Sequence, residues 1–233
     1  MKLAIIGNGA MGTLVRTLAT ADGHEVASAI ASRDAARGMD ELVELLSGHD
    51  AVVDFSVASA VLKNVEAAAR AGVPLVEGTT GWNGVEAEAR RLVEAHAGAL
   101  VFGANFSVGV NLFYRIVARA AELFAATEYA PFIEEAHHSR KRDAPSGTAL
   151  KLRDVLAAHV ARDIPVASTR AGHIPGTHRV GFDSAADQIT LMHTARTREG
   201  FASGALLAAR WIKGRRGVYE FSEVIDSIVT GDG

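Results

Sequence analysis

The sequence predicts an α/β protein, a doubly wound parallel sheet carrying a second, smaller α+β domain. Three observations predict it. Short continuous apolar runs alternate with alanine-rich amphipathic stretches as far as about residue 105. A glycine-rich turn joins the first run to the first amphipathic stretch. The rhythm then breaks, and longer helices and alternating strands follow.

The apolar runs fall at 3–6, 26–30, 51–55, 75–77 and 100–102. Each is continuous rather than alternating, as expected of strands buried on both faces. Helical patterns fill the gaps at 11–21, 40–46, 57–71 and 85–96. The strands are therefore joined by helical crossovers and run parallel. Beyond Asn105 the pattern predicts a helix over 111–126, with Leu112, Ile116, Leu123 and Phe124 on its apolar side. An apolar run into Ile133, a polar cluster and a helix over 148–162 come next. The stretch 164–177 is rich in Gly, Pro and Thr and reads as loop. Antiparallel strands are expected at 179–182 and 188–194, then a helix over 202–212 and a tail at 218–229. No low-complexity linker intervenes, so a tightly coupled hinge is expected near 104–110.

The 233 residues are 48% hydrophobic and 22% charged, an ordinary globular balance. The length suits one large domain or two unequal ones. A net charge of −3 offers no bulk attraction for nucleic acid, so an anionic substrate needs a local basic pocket. The absence of cysteine excludes disulfides, thiolate metal sites and cysteine nucleophiles. The first apolar run is too short for a signal peptide and stops at a glycine turn. The run at 97–101 is too short to span a bilayer. A soluble, cytoplasmic protein that binds neither nucleic acid nor membrane is expected.

Gly7-Asn8-Gly9-Ala10-Met11-Gly12 has the G-x-G-x-x-G spacing between a strand and a helix. In that context the turn holds the pyrophosphate of a dinucleotide. The first glycine permits the tight turn, the second admits the phosphates, and the third lets helix pack on strand. Helix-start amides then face the anion. An ordinary glycine-bearing β–α turn shares the spelling, but its place after the first strand favours the nucleotide and a Rossmann-type sheet. The second strand ends in Ile30-Ala31-Ser32-Arg33. An NAD site usually places an acid here for the ribose hydroxyls. None is present, and Ser32 with Arg33 suits a 2′-phosphate, so NADPH is expected to be preferred over NADH. A solvated loop position is the other reading of Arg33. Gly78, Thr79 and Thr80 follow the fourth strand, and Asn105 and Phe106 follow the fifth. Both lie at strand ends where ligands bind in such sheets.

The run from Glu134 to Thr148 is the most unusual part of the chain. It holds His137, His138, Arg140, Lys141 and Arg142 close to Glu134, Glu135 and Asp143. Histidine moves protons near neutral pH, and Lys141 can neutralise a carboxylate or deliver a proton. Ser146-Gly147-Thr148 opens a helix, so amides and hydroxyls are expected to face outward as a carboxylate site. A solvated charged loop with a helix cap is the plainer alternative. The histidines lack metal-site spacing such as H-E-x-x-H, and no metal is expected.

The block Glu135-Ala136-His137-His138, Lys141, and Asp143-Ala144-Pro145-Ser146-Gly147-Thr148-Ala149 closely resembles the signature of the 4-hydroxy-tetrahydrodipicolinate reductase (dihydrodipicolinate reductase) family. Further matching segments are Asp54-Phe55-Ser56, 78–81, 104–111, Arg170-Ala171-Gly172, Gly176-Thr177-His178 and 193–198, covering the whole chain in order. The resemblance implies an NAD(P)H-dependent oxidoreductase of lysine and diaminopimelate biosynthesis. Such an enzyme removes water from a hydroxylated ring, delivers hydride to C4, and lets the resulting enamine take a proton at C3. It implies His137 as acid/base and Lys141 as proton donor. It implies His138, Gly147 and Thr148 as contacts to the substrate carboxylate, with Ser146 beside them. It adds Gly103 and Ala104 to Asn105 and Phe106 at the dinucleotide. It also implies a nucleotide domain over 1–105, rejoined from about 206, a substrate domain over 106–205, and a homotetramer built on the second domain's open sheet.

This chain departs from the family pattern in a shorter glycine turn, a missing acid after the second strand, and extra basic residues at Arg140 and Arg142. Two other readings share parts of the pattern. A different oxidoreductase on this plan, such as one acting on aspartate, would share the glycine turn but not the block from His137 to Thr148. A dinucleotide-sensing module would need neither His137 nor Lys141, and would usually bring a basic DNA-binding segment, which is absent.

Overall fold

The computed structural model describes residues 1–30 and 37–231, apart from the side chains of Ser28 and Ala29. Ser32 and Arg33, expected at the nucleotide, lie outside the described residues. In chain order the elements begin with β1 (Lys2–Ile6), α1 (Ala10–Ala21), β2 (Glu25–Ile30), α2 (Met39–Leu46) and β3 (Ala51–Asp54). They continue with α3 (Val61–Arg70), β4 (Leu75–Glu77), α4 (Glu86–Ala95), β5 (Ala99–Phe102), α5 (Val108–Phe124) and β6 (Ala130–His137). The rest are α6 (Gly147–Ala157), β7 (Val166–Arg170), β8 (Thr177–Asp183), β9 (Gln188–Thr194), α7 (Glu199–Ile212), β10 (Gly217–Glu220) and α8 (Phe221–Thr230).

The chain folds as two units, Met1–Val108 together with the chain from Glu199 onward, and Gly109–Arg198. The first unit holds a six-stranded sheet in the order β10-β5-β4-β3-β1-β2. Every pairing in it is parallel. β1 lies between β2 and β3, so the strand order changes direction there. The carboxyl ends of strands at such a switch are where ligands bind in open α/β sheets. One face of the sheet carries α2, α3 and α4, joined through Ile6, Leu42, Leu46, Val65, Leu75 and Leu100. On the other face α7 packs against α1 and along β3, β4 and β5. Its buried residues are mostly small: Ala202, Gly204, Ala205, Ala208 and Ala209. Small side chains bring this helix close to the sheet, which is why the whole of α7, and not only residues after 206, belongs to the first unit.

The second unit is a four-stranded sheet, β7-β6-β8-β9. β7 and β6 are parallel and the other pairs antiparallel. Its core joins Phe113, Val117, Ile133, Leu152, Leu156, Val180 and Phe182. β6 alternates strictly: Pro131, Ile133, Glu135 and His137 are buried, while the residues between them are more exposed.

Four expectations need correction. The stretch 164–177 is not all loop, because β7 pairs in parallel with β6 from Ile133↔Val166 to His137↔Arg170. β6 runs on through Glu134–His137, placing the first histidine in a strand rather than in a polar loop. α5 buries Val110, Phe113, Val117 and Ala121, while Ile116 and Leu123 are 54% and 62% exposed. The helix has two apolar stripes, and the core takes the one bearing Phe113. Finally, the helix expected over 148–162 ends at Ala157. Among the described residues, no helix is long and apolar enough to cross a membrane.

Candidate active site

In the first unit, Gly7 ends β1 with a positive φ of 97° and donates its N–H to Ile30 O at 2.9 Å. A side chain here would strain the backbone and overlap the Phe55 carbonyl. A methyl group at Gly12 would overlap the Gly7 carbonyl, whereas one at Gly9 would meet open space. Gly7 and Gly12 therefore make the turn, and Gly9 leaves it bare. Asn8, Gly9 and Ala10 are exposed and Met11 is half-buried. No side chain caps the start of α1, and its first turn holds no acid. A cradle with exposed glycine and uncapped helix amides fits a dinucleotide's pyrophosphate.

The neighbouring strand ends hold the other expected contacts. Gly78 is a glycine because a side chain would run into the Phe55 ring. Thr79 is buried and committed inward. Its Oγ1 accepts from Ser56 N at 3.1 Å, its N–H donates to Glu77 Oε1 at 2.7 Å, and its carbonyl accepts from Trp82 Nε1 at 2.9 Å. Thr80 is exposed. Gly103 and Asn105 are half-buried and Ala104 is exposed. Phe106 is buried, with its ring 4.7 Å from that of Phe221. Gly204 of α7 lies against the Phe106 carbonyl, leaving no room for a side chain. Phe221 and Gly204 thus seat the loop after β5, and no local signal in the sequence marks them for that task.

Beneath these loops two carboxyls lie side by side. Asp54 and Glu77 end β3 and β4, are register partners, and are fully buried. Asp54 accepts from Ser56 N at 2.8 Å and Asn64 Nδ2 at 2.6 Å. Glu77 Oε2 has no hydrogen-bond partner among the described residues, and the Asp54 carboxyl is its charged neighbour on the next strand. Burial raises both pKa values, and the charge on Asp54 pushes Glu77 well above the usual range.

The second unit gathers the polar cluster at the end of β6. Glu135 and His137, two residues apart on one strand, point to the same buried face. Glu135 Oε2 accepts from His137 Nδ1 at 2.5 Å. Arg170, on β7, donates Nη1 to Glu135 Oε2 at 2.8 Å and Nη2 to Oε1 at 2.6 Å. Ser146 N reaches Oε1 at 3.2 Å. Burial alone would raise the Glu135 pKa; the Arg170 guanidinium, helped by Ser168 and His137, holds it down at about 2. His138 is half-buried. Desolvation, then the charges of Arg140, Arg198, His137 and Lys141, lower its pKa. Lys141 Nζ lies 2.9 Å from Asp143 Oδ2.

Ser146 caps α6: its Oγ accepts from Ala149 N at 3.2 Å and pairs with His178 Nε2 at 3.0 Å. The expectation that this hydroxyl faces outward is corrected, since Ser146 is 2% exposed. Gly147 is exposed, and half-buried Thr148 bonds the Tyr114 hydroxyl. His178 stands edge-on to His137, 5.1 Å between ring centroids. Burial, then the charge of His137, lowers its pKa to about 4. Glu135, Arg170 and His178 carry no role in the sequence reading. Their signal was present, as an acid two positions before a histidine and as an arginine and a histidine in matching segments. It becomes a site only when β7 and β8 flank β6. Among the described residues, no group of three or more His, Asp or Glu is arranged to hold a metal.

The family model described as "Dihydrodipicolinate reductase, N-terminus" matches residues 1–106, and "Dihydrodipicolinate reductase, C-terminus" matches 109–225. The chain is 31% identical to the 4-hydroxy-tetrahydrodipicolinate reductase of Christiangramia forsetii, over 98% of this chain and 99% of that one. It is 36% identical to that of Archaeoglobus fulgidus, over 91% and 94%. A dipicolinate-bound dihydrodipicolinate reductase from Paenisporosarcina sp. TG-14 has the same fold, with a TM-score of 0.79 over 96% and 99% of the two chains at 20% identity. Sequence and fold thus agree along the whole length, and the chain belongs to the dihydrodipicolinate reductase family of NAD(P)H-dependent oxidoreductases.

Proposed function

We propose that this chain reduces 4-hydroxy-tetrahydrodipicolinate to tetrahydrodipicolinate with NAD(P)H, releasing water, in lysine and diaminopimelate biosynthesis. The observation that carries this reading is the company His137 keeps within one unit: a carboxylate on Nδ1, Lys141 four residues on, and the exposed start of α6. Cations and helix amides suit a small dicarboxylate. His138, Gly147 and Thr148 contact a substrate carboxylate, and Ser146 supports them as the helix cap. The turn at 7–12, with Gly78, Thr80 and residues 103–106, holds the nucleotide, and Thr79 supports that loop from within. Ser32 and Arg33 take a 2′-phosphate, so NADPH is preferred over NADH; the absence of an acid at positions 31–33, directly after β2, supports this.

Bound NAD(P)H supplies the hydride. His137 exchanges protons as the hydroxyl leaves as water, and Lys141, steadied by Asp143, delivers the proton that completes the ring carbon. Neutralising the substrate carboxylates favours the electron-rich species that precedes protonation. The chain assembles as a homotetramer through the second unit's sheet, whose outer strand β9 exposes Ile189 and Met192; light scattering checks this. The activity is tested by coupling the purified protein to the synthase that makes the unstable substrate and following NADPH and NADH oxidation side by side. Oxidation of both, faster with NADPH, is expected. Oxidation of neither would remove the assignment, and equal efficiency with both or a clear NADH preference would remove the role of Ser32 and Arg33.

A further inference from the structure

We infer that Glu135 is the positioning residue of the proton-transfer imidazole, holding His137 as the Nδ1–H tautomer so that Nε2 is the atom that exchanges protons, with Arg170 holding Glu135 in turn. The inference rests on His137 being the acid/base of the proposed reaction.

An ionised carboxylate only accepts hydrogen bonds. With Glu135 Oε2 at 2.5 Å from Nδ1, the ring proton must sit on Nδ1. Nε2 makes no hydrogen bond among the described residues, and it faces Gly176, where an added Cβ would lie 3.1 Å away. The bare glycine leaves the space beside the reacting nitrogen open. A buried, unpaired Glu135 would keep its proton and become a donor, which would reverse the tautomer. Arg170 prevents that with two parallel N–H bonds. The same guanidinium donates to Asp143 O at 2.6 Å, so one side chain ties the carboxylate to the loop that carries Lys141. Glu135 itself is committed to Arg170, Ser146, Ser168 and His137, which leaves it as a support for His137 and not a second base.

Glu135→Gln tests this sharply. The amide has one acceptor oxygen. The Oε1 position meets two fixed donors, Arg170 Nη2 and Ser146 N, whereas the Oε2 position meets one, Arg170 Nη1, and a ring nitrogen that can become an acceptor, so the NH2 turns toward His137. His137 must then accept at Nδ1 and carry its proton on Nε2. Side-chain nitrogen NMR, at a pH where the ring is neutral, is expected to show Nδ1–H in the wild type and Nε2–H in Glu135→Gln. The coupled assay is expected to show kcat lowered about 100-fold or more, with NADPH affinity unchanged. Glu135→Asp keeps the charge and is expected to keep the Nδ1–H tautomer with a smaller loss. A wild type already in the Nε2–H form, or Glu135→Gln with the tautomer unchanged, would overturn the inference. Should Glu135→Gln fail to fold, the wild-type tautomer and Glu135→Asp decide the matter. Full activity in His137→Ala would instead overturn the reading of His137 on which the inference rests.

Discussion

Each unit buries a carboxyl cluster near its proposed ligands, and the two clusters behave oppositely. In the first, Asp54 and Glu77 meet each other and neutral donors, and both pKa values rise. In the second, Glu135 is also shielded from solvent, yet it is held down at about 2. Burial pushes all three upward, and the partners differ: another carboxyl in one unit, a guanidinium that outweighs burial in the other. The first pair holds protons more readily than free carboxyls do and braces the loop after β4 through Thr79. The second carboxyl keeps its charge and accepts from Nδ1 of His137, the proposed acid/base.

The largest way to break this contrast is Arg170→Met, which removes the guanidinium from Glu135 and leaves it to bury an uncompensated charge or take up a proton. Breaking such a pair costs roughly 3–5 kcal/mol, measured by chemical denaturation at neutral pH. A loss below about 1 kcal/mol would show that the guanidinium is not what compensates Glu135. A smaller effect is expected of Glu77→Gln, whose amide mimics the protonated acid, accepting from Thr79 and donating to Asp54. A carboxyl with a raised folded pKa lends stability in full below its unfolded value. That stability is lost as pH rises through the folded value. The wild type should therefore lose stability toward alkaline pH, by about 1.4 kcal/mol for each pH step of one between the unfolded and folded values. Glu77→Gln should flatten that slope. Parallel stability curves would contradict the raised pKa of Glu77. The remaining effects lie on the acid side. Glu135 falls from 4.5 to about 2 and His178 from 6.5 to about 4. In both cases the unfolded chain binds more protons, so stability falls as pH drops through these windows. His178→Gln should remove the upper part of that fall, between pH 6.5 and about 4, and leave the lower part to Glu135.

The two units also differ in how legible they are in the sequence. β1, β3, β4 and β5 are buried on both faces, so their continuous apolar spelling marks them without knowledge of their neighbours. The glycine turn is equally plain, since Gly7 and Gly12 answer to backbone contacts only a few residues away or on the adjoining strand end. β7 is different. Its sequence, Val-Ala-Ser-Thr-Arg, is largely exposed, and only its partner β6, some thirty residues earlier in the chain, makes it a strand. The same distance hides the site. His137, His138 and Lys141 stand together in the sequence, but Arg170 and His178 join them through sheet pairing. The face of α5 was ambiguous for another reason. Val110, Phe113 and Val117 compete with Leu112 and Ile116 at equal helical spacing, and packing against β6 and β8 chooses between them.

In the proposed reaction nucleotide binding falls to one unit and proton chemistry to the other, and a single paired measurement separates them. His137→Ala should lower turnover in the coupled assay by about 100- to 10,000-fold, while the dissociation constant for NADPH, read by fluorescence titration, stays within about twofold of the wild type, a difference of only tenths of a kcal/mol. Wild-type turnover in His137→Ala, or a loss of NADPH affinity matching the loss of turnover, would contradict the division.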